Sequence, residues 1–338
     1  MKAVRLYFRF FEMQLKSMMQ HKASFFFTML GQLLVSFNVF LGVYFMMTRF
    51  HEVSGFNYPE VLLCFSITLM AYTLAETFFR SFDTFNLMIG NGEFDRILLR
   101  PGSCVFLVLC SKIELTRIGR LLQAVVMLAY GVAKSSILWT PMRVLTLVLM
   151  IGGGTLVFAA VYIIFASICF FTLEGLEFMN VFTDGAREYG KYPVAIYGKT
   201  VLTICTFLVP FSLFQYYPFL YLTGKTARDW YALLPLPACL FLIPAACLWR
   251  FGLSHYQSTA HEKAPLKQPV TQKKAEKVNG STFYFLCLLA VETLWLIRPD
   301  FAFSSRSDRN DSCYLINYII TVICMEDNFY CSRFSKVQ

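Results

Sequence analysis

Charge is what this chain has little of. Of its 338 residues only 15% are Asp, Glu, Lys or Arg, whereas 57% are hydrophobic, and the mean hydropathy is +0.55. That balance excludes an ordinary soluble domain. Histidine is scarcer still: four copies stand apart from one another, and no serine occupies a nucleophile elbow. No catalytic set can be assembled, so the chain reads as a non-enzyme. Cysteine is plentiful at eleven copies, but there is no C-x-x-C pair and no Cys/His cluster, so no metal site is expected. Cys64, Cys169, Cys205, Cys239 and Cys247 fall within apolar runs, where cysteine serves as a small hydrophobe. The first apolar run is too long for a cleavable leader, and no small-residue cleavage site follows it. What is present is a series of long apolar runs separated by short polar ones, the pattern of an all-α polytopic membrane protein. The net charge of +9 then marks cytosolic loops rather than a nucleic-acid partner.

The runs predict six transmembrane helices with the N-terminus inside. Residues 1–22 place Lys2, Arg5, Arg9, Glu12 and Lys16 in one polar stripe, the pattern of an interfacial amphipathic helix. The first span is expected at Ser24–Met47, with Asn38 bonding to a neighbouring helix. The second, Val61–Phe79, ends near Glu76, which is expected to pair or snorkel at the interface. Residues 80–120 are rich in Arg and Lys, which makes them a cytosolic loop. Within it, GNGEFDRILLRPGS from Gly90 to Ser103 is a charged helix bounded by glycine and proline. Phe94, Ile97 and Leu98 are expected on one side, with Asp95, Arg96 and Arg100 beside them, offered to a soluble partner.

The third span is expected at Leu121–Leu138. The fourth, Val144–Phe171, carries Gly152, Gly153 and Gly154, a signal for close helix packing or a kink. The polar stretch Glu174–Lys199 reads as a second cytosolic loop. The fifth span, Val201–Leu213, is short and broken at Pro210, and QYYPFLYLTGK after it suggests a re-entrant or interfacial segment on the outer side. The sixth, Trp230–Trp249, is expected to be kinked by Pro235, Pro237 and Pro244. These six form one domain over 23–258. A basic stretch, 259–282, reads as a disordered linker, and 283–338 as an atypical segment that includes the short apolar run Phe283–Ile297.

Two fragments, Gly198-Lys199-Thr200 and Gly224-Lys225-Thr226, suggest a nucleotide-binding loop, but the required earlier glycine is Pro193 or Phe219. Without it the backbone amides cannot curl around a phosphate. Uphill movement of a cargo would therefore draw on a partner or on an ion gradient.

Three stretches together carry a family resemblance: GNGEFDRILLRPGS, EYGKYPVAIYGK from Glu188 to Lys199, and PFSLFQYYPFLYLTGK from Pro210 to Lys225. Over residues 1–258 the chain resembles a bacterial six-span permease subunit of the ABC-2 type. The resemblance implies an ABC-2 (type V exporter-like) architecture in the bacterial inner membrane and a separately encoded P-loop ATPase that binds the ATP. It further implies pairing with a second permease, as a homodimer or heterodimer. It assigns Glu93, Phe94, Asp95, Arg96 and Arg100 to ATPase coupling, makes residues 1–22 a connecting helix, and places Tyr216, Tyr217 and Pro218 in an outer gate. The alternative reading is a secondary transporter driven by an ion gradient.

Overall fold

In a computed structural model the chain is described over residues 2–50, 52–53, 55–135, 137–172 and 182–256. Residues 174–181 of the second polar stretch, the basic stretch 259–282 and the segment 283–338 lie outside the described residues.

Helix α1 (Lys2–Met18) passes through a 3-10 turn at Met19–His21 into α2 (Lys22–Phe50). Arg5–Arg49 forms one helical run of 45 residues, so the amphipathic segment and the first span are continuous rather than separated by a sharp corner. A small hairpin follows, β1 (Glu52–Val53) antiparallel to β2 (Phe56–Asn57). Gly55, at φ 76°, sits in its turn, a conformation that suits glycine. Asn57 and Glu60 then form a capping box that starts α3 (Tyr58–Asp83), with proline accommodated in its first turn.

Short helices α4 (Phe85–Gly90), α5 (Glu93–Leu98) and α6 (Cys104–Ser111) make up the first half of the 80–120 loop. A 3-10 turn at Leu115–Arg117 leads into α7 (Ile118–Lys134), and Thr140 caps α8 (Pro141–Ile168). Beyond it lie α9 (Asp184–Tyr189), a 3-10 turn at Val194–Tyr197, α10 (Lys199–Phe207), α11 (Phe211–Phe214) and α12 (Tyr216–Leu222). The last crossing, Asp229–His255, is assembled from a 3-10 turn, α13 (Pro235–Ala238), another 3-10 turn and α14 (Leu242–His255). Its prolines therefore segment the helix without bending it sharply; Pro235 opens α13 and Pro244 falls in the first turn of α14, where the missing N–H costs nothing.

The central element is α3, which packs against α7 and α8, while α14 packs against α8. The residues Val61, Leu63, Cys64, Ile67, Ala71 and Ala75 of α3 are fully buried. Of the three glycines in α8, Gly153 and Gly154 serve close approach: a Cβ on Gly153 would lie 2.9 Å from Pro235 Cβ, and one on Gly154 would lie 2.7 Å from the Phe214 ring. The helix stays continuous through them, so they permit packing and do not mark a kink.

Among the described residues five helices are long and apolar enough to cross a membrane, and a sixth crossing is present there only if α10 and α11–α12, bent by 90° about Pro210, are counted together. The break at Pro210 was legible. The position of the preceding segment was not: Asp184–Tyr192 does not form a loop clear of the spans but climbs along α3. Asp184 accepts a 2.7 Å hydrogen bond from Tyr72, a Cβ on Gly190 would lie 2.3 Å from Thr68, and the Gln215 amide reaches both Gly190 O at 2.9 Å and Cys64 Sγ at 3.4 Å. Thr68 and Cys64 lie one and two turns beyond Tyr72 toward the hairpin end of α3. This stretch therefore lies at the depth of the spans.

Candidate functional site

Helix α5 begins because Gly92, at φ 69°, takes a left-handed turn after α4. Phe94, on the first turn of α5, is fully buried. Its ring lies 5.0 Å from Phe85, 5.5 Å from Phe170, 6.5 Å from Trp249 and 5.0 Å from Tyr256, in edge-on or tilted geometry. Phe82 extends the cluster by packing edge-on to Trp249 at 5.5 Å. One small helix is thus joined through rings to the ends of α3, α8 and α14.

Asp95 faces inward as well, accepting a 3.0 Å hydrogen bond from the Tyr256 hydroxyl. Burial, and after it this bond to Asp95, raises the pKa of Tyr256 above the usual phenol value. Glu93 and Arg96 are exposed and 3.9 Å apart, and Arg100 is exposed beside them. Ile97 is buried with Phe94, but Leu98 is exposed and Leu99 is 83% exposed. The expectation that Leu98 packs with Phe94 and Ile97 is corrected: Leu98 lies only about 40° around the helix from Phe94, but it is the last residue of α5 and is 43% exposed. The five expected coupling residues divide accordingly, with Glu93, Arg96 and Arg100 outward and Phe94 and Asp95 inward. Leu99 extends the outward face, which sequence reasoning did not assign.

Next to the rings lies a buried ion cluster. Glu76 of α3 is 3% exposed and meets Arg120 at 2.7 Å, Arg117 at 3.1 Å and Arg80 at 3.7 Å. Arg120 also donates to Gln32 of α2 at 2.6 Å, and its guanidinium lies 5.8 Å from the Tyr72 ring centre. Arg187 of α9 covers the same ring at 5.3 Å and approaches Asp184 at 3.7 Å. Glu76 was expected to pair, and it does; its partners Arg117, Arg120 and Gln32 were missed. Asn38, expected to bond to a neighbouring helix, is exposed on α2.

The 80–120 segment is held from two further sides. The Gln14 amide of α1 donates to Ser111 O of α6 at 2.8 Å, and Glu114 N donates to Thr77 O of α3 at 3.1 Å. Burial pushes the thiol of Cys104 up to about 12 and that of Cys110 to about 11, as befits packed, unreactive side chains.

Tyr216, Tyr217 and Pro218 open α12 and are packed rather than displayed: Tyr217 and Pro218 are buried and Tyr216 half-buried. Tyr217 lies 5.4 Å from both Tyr216 and Tyr231, and the neighbouring Phe219 lies 5.5 Å from Phe56 of the hairpin. The expected gate residues thus belong to the hairpin half of the molecule, away from α5.

Neither a curated protein nor a solved structure matches the chain. A family model described as "ABC-2 family transporter protein" matches residues 33–260, a stretch that contains α5, Glu76 and α12 and ends close to where the sequence resemblance ends.

Proposed function

The chain belongs to the ABC-2 family of transporter proteins and is a multi-pass membrane component of transport rather than an enzyme; from that premise we propose that α5 is its docking helix for a separately encoded P-loop ATPase. The observation that carries the reading is the division of α5 into two faces. Glu93, Arg96, Leu99 and Arg100 are presented outward, while Phe94 is seated among rings from the ends of three spans. A soluble partner gripping the outer face would move those spans directly. On this reading ATP is bound and hydrolysed by the partner, and the N-terminus is cytoplasmic. The membrane is the bacterial inner membrane, and α10–α12 complete a sixth, broken crossing.

Two permeases, identical or similar, would enclose the path. Support comes from α9, where Asp184 and Glu188 are substantially exposed although the segment lies at the depth of α3. Charged groups do not face hydrocarbon at that depth. This face therefore borders water or a second permease, and the chain's cargo passes outward beside it. The alternative, an ion-gradient carrier, would look to Glu76 as its buried acid, but three arginines already surround that carboxylate, which favours a structural role.

The test is association. The tagged full chain is purified from its host in mild detergent and its companions are identified. The double variant Arg96→Glu/Arg100→Glu should lose a co-purifying P-loop ATPase by at least tenfold, about 1.4 kcal/mol, with the helix content of the chain unchanged. Undiminished ATPase recovery from that variant overturns the docking assignment. Asp95 is a poor probe, because its bond to Tyr256 makes its reversal a test of internal packing too.

A further inference from the structure

We propose that the outward stripe of α2 is the seam on which a second copy of this chain packs, with Asn38 bonding to its own twin. This deepens the reading above, on which two permeases pair, and rests on it. Of the five apolar spans among the described residues, the first is the least covered: 11% of its most apolar stretch is buried, against 83% for the span of α3. No charge interrupts it between Lys22 and Arg49, and Asn38 lies about 24 Å from the first and about 17 Å from the second, within the hydrocarbon. The other amide of this span, Gln32, accepts a hydrogen bond from Arg120. Asn38 is exposed and has no hydrogen bond among the described residues. At that depth an amide needs a polar group opposite it, and lipid tails supply none.

The surface around Asn38 is shaped to receive a helix. Phe27, Gly31, Leu34, Gly42 and Phe45 all lie within about 40° of it around α2, at spacings of three and four, while the buried Ser36, Val43 and Met47 lie on the opposite side. A Cβ on Gly31 or Gly42 would meet nothing within 4 Å, so neither glycine serves packing inside the chain as Gly153 and Gly154 do. Both are places where a second backbone can come close.

Symmetry fixes the occupant. Copies inserted in one orientation are related by a two-fold axis along the membrane normal, so helices along the seam run parallel and each level meets itself. On α2 that sets glycine on glycine and Asn38 on Asn38, whose amide is complementary to itself because it both donates and accepts. On the α9 face the same operation would bring the exposed carboxylates of Asp184 and Glu188 toward their own copies, where like charges repel. The second copy therefore belongs on α2, and α9 is left to water.

The test co-expresses two differently tagged forms of the full chain, captures one in mild detergent and measures the other; labelled chains titrated in liposomes then give the strength of pairing. The unaltered chain should capture its twin. A photo-crosslinking phenylalanine analogue at the exposed Phe45 should yield a covalent dimer, and one at the exposed Val148 of α8 should not. Gly42→Leu should weaken pairing at least tenfold and Asn38→Leu about fivefold, whereas Asn38→Gln should stay near the unaltered value. Both positions are open in the single chain, so helix content should not change. Undiminished pairing in Gly42→Leu and Asn38→Leu, or no adduct at Phe45, overturns the seam while the permease reading stands. A chain that recovers a P-loop ATPase but no copy of itself overturns the second copy as occupant, and one that recovers neither overturns the permease reading as well.

Discussion

The Phe94 ring cluster and the Glu76 ion cluster lie side by side and join overlapping sets of helices, but they resist disturbance differently. The rings of Phe82, Phe85, Phe94, Phe170, Trp249 and Tyr256 meet edge-on or tilted, contacts that are individually weak and lose little on a small rotation. Glu76 is held by three guanidinium groups at fixed distances. Removing one member of such a set strands the others without water. The ion cluster therefore fixes α2, α3 and α7 in one arrangement, and the ring cluster lets α5 stay attached while it moves.

On that contrast Glu76→Ala is the most damaging single change, destabilising the purified chain by about 4 kcal/mol because Arg120 is left buried without its carboxylate and the largely covered Arg117 loses its ion pair. Thermal unfolding in detergent measures it. Adding Arg120→Leu to the Glu76→Ala chain should recover part of the loss, and no recovery would mean that the pairing is not what matters. Phe94→Ala should cost about 3 kcal/mol, with Phe94→Leu costing much less; proteolysis within 91–103 should rise in the first and barely in the second. A comparable loss in both would mean that ring geometry, not apolar filling, holds α5.

Tyr256→Phe should cost about 1 kcal/mol, one hydrogen bond to a carboxylate on a partly exposed site. It also carries a pH signature. Tyr256 keeps its proton in the folded chain above the ordinary phenol value of about 10. Its contribution is thus complete below that pH and declines as pH rises, because only the unfolded chain then gains by ionising. In Tyr256→Phe the alkaline fall in stability should be shallower.

Sequence pattern reached some of these features and not others. The spans of α3 and α8 were legible because apolar runs longer than a bilayer have few alternatives. The boundaries of α5 were legible from Gly90, Gly92, Pro101 and Gly102. Its division into faces was not, since Phe94 is buried by Phe170, Trp249 and Tyr256, which are distant in sequence. Gln32 and Asn38 show the same limit. Both are polar residues in one apolar span, and the one that finds a partner is decided by where α7 crosses α2. That crossing is fixed at Gly119, where a Cβ would fall 2.4 Å from Met29 O. The ascent of Asp184–Tyr192 was hidden because a polar stretch against a protein wall has the composition of a loop.

At the hairpin end, the Lys225 ammonium donates to Gly55 O and Glu60, each at 2.6 Å, and stands 3.5 Å over the Phe56 ring. This clasp joins the residue just past α12 to the hairpin and the start of α3. With 26 residues, α3 is about 39 Å long, so a single lysine ties down the end of that helix farthest from α5.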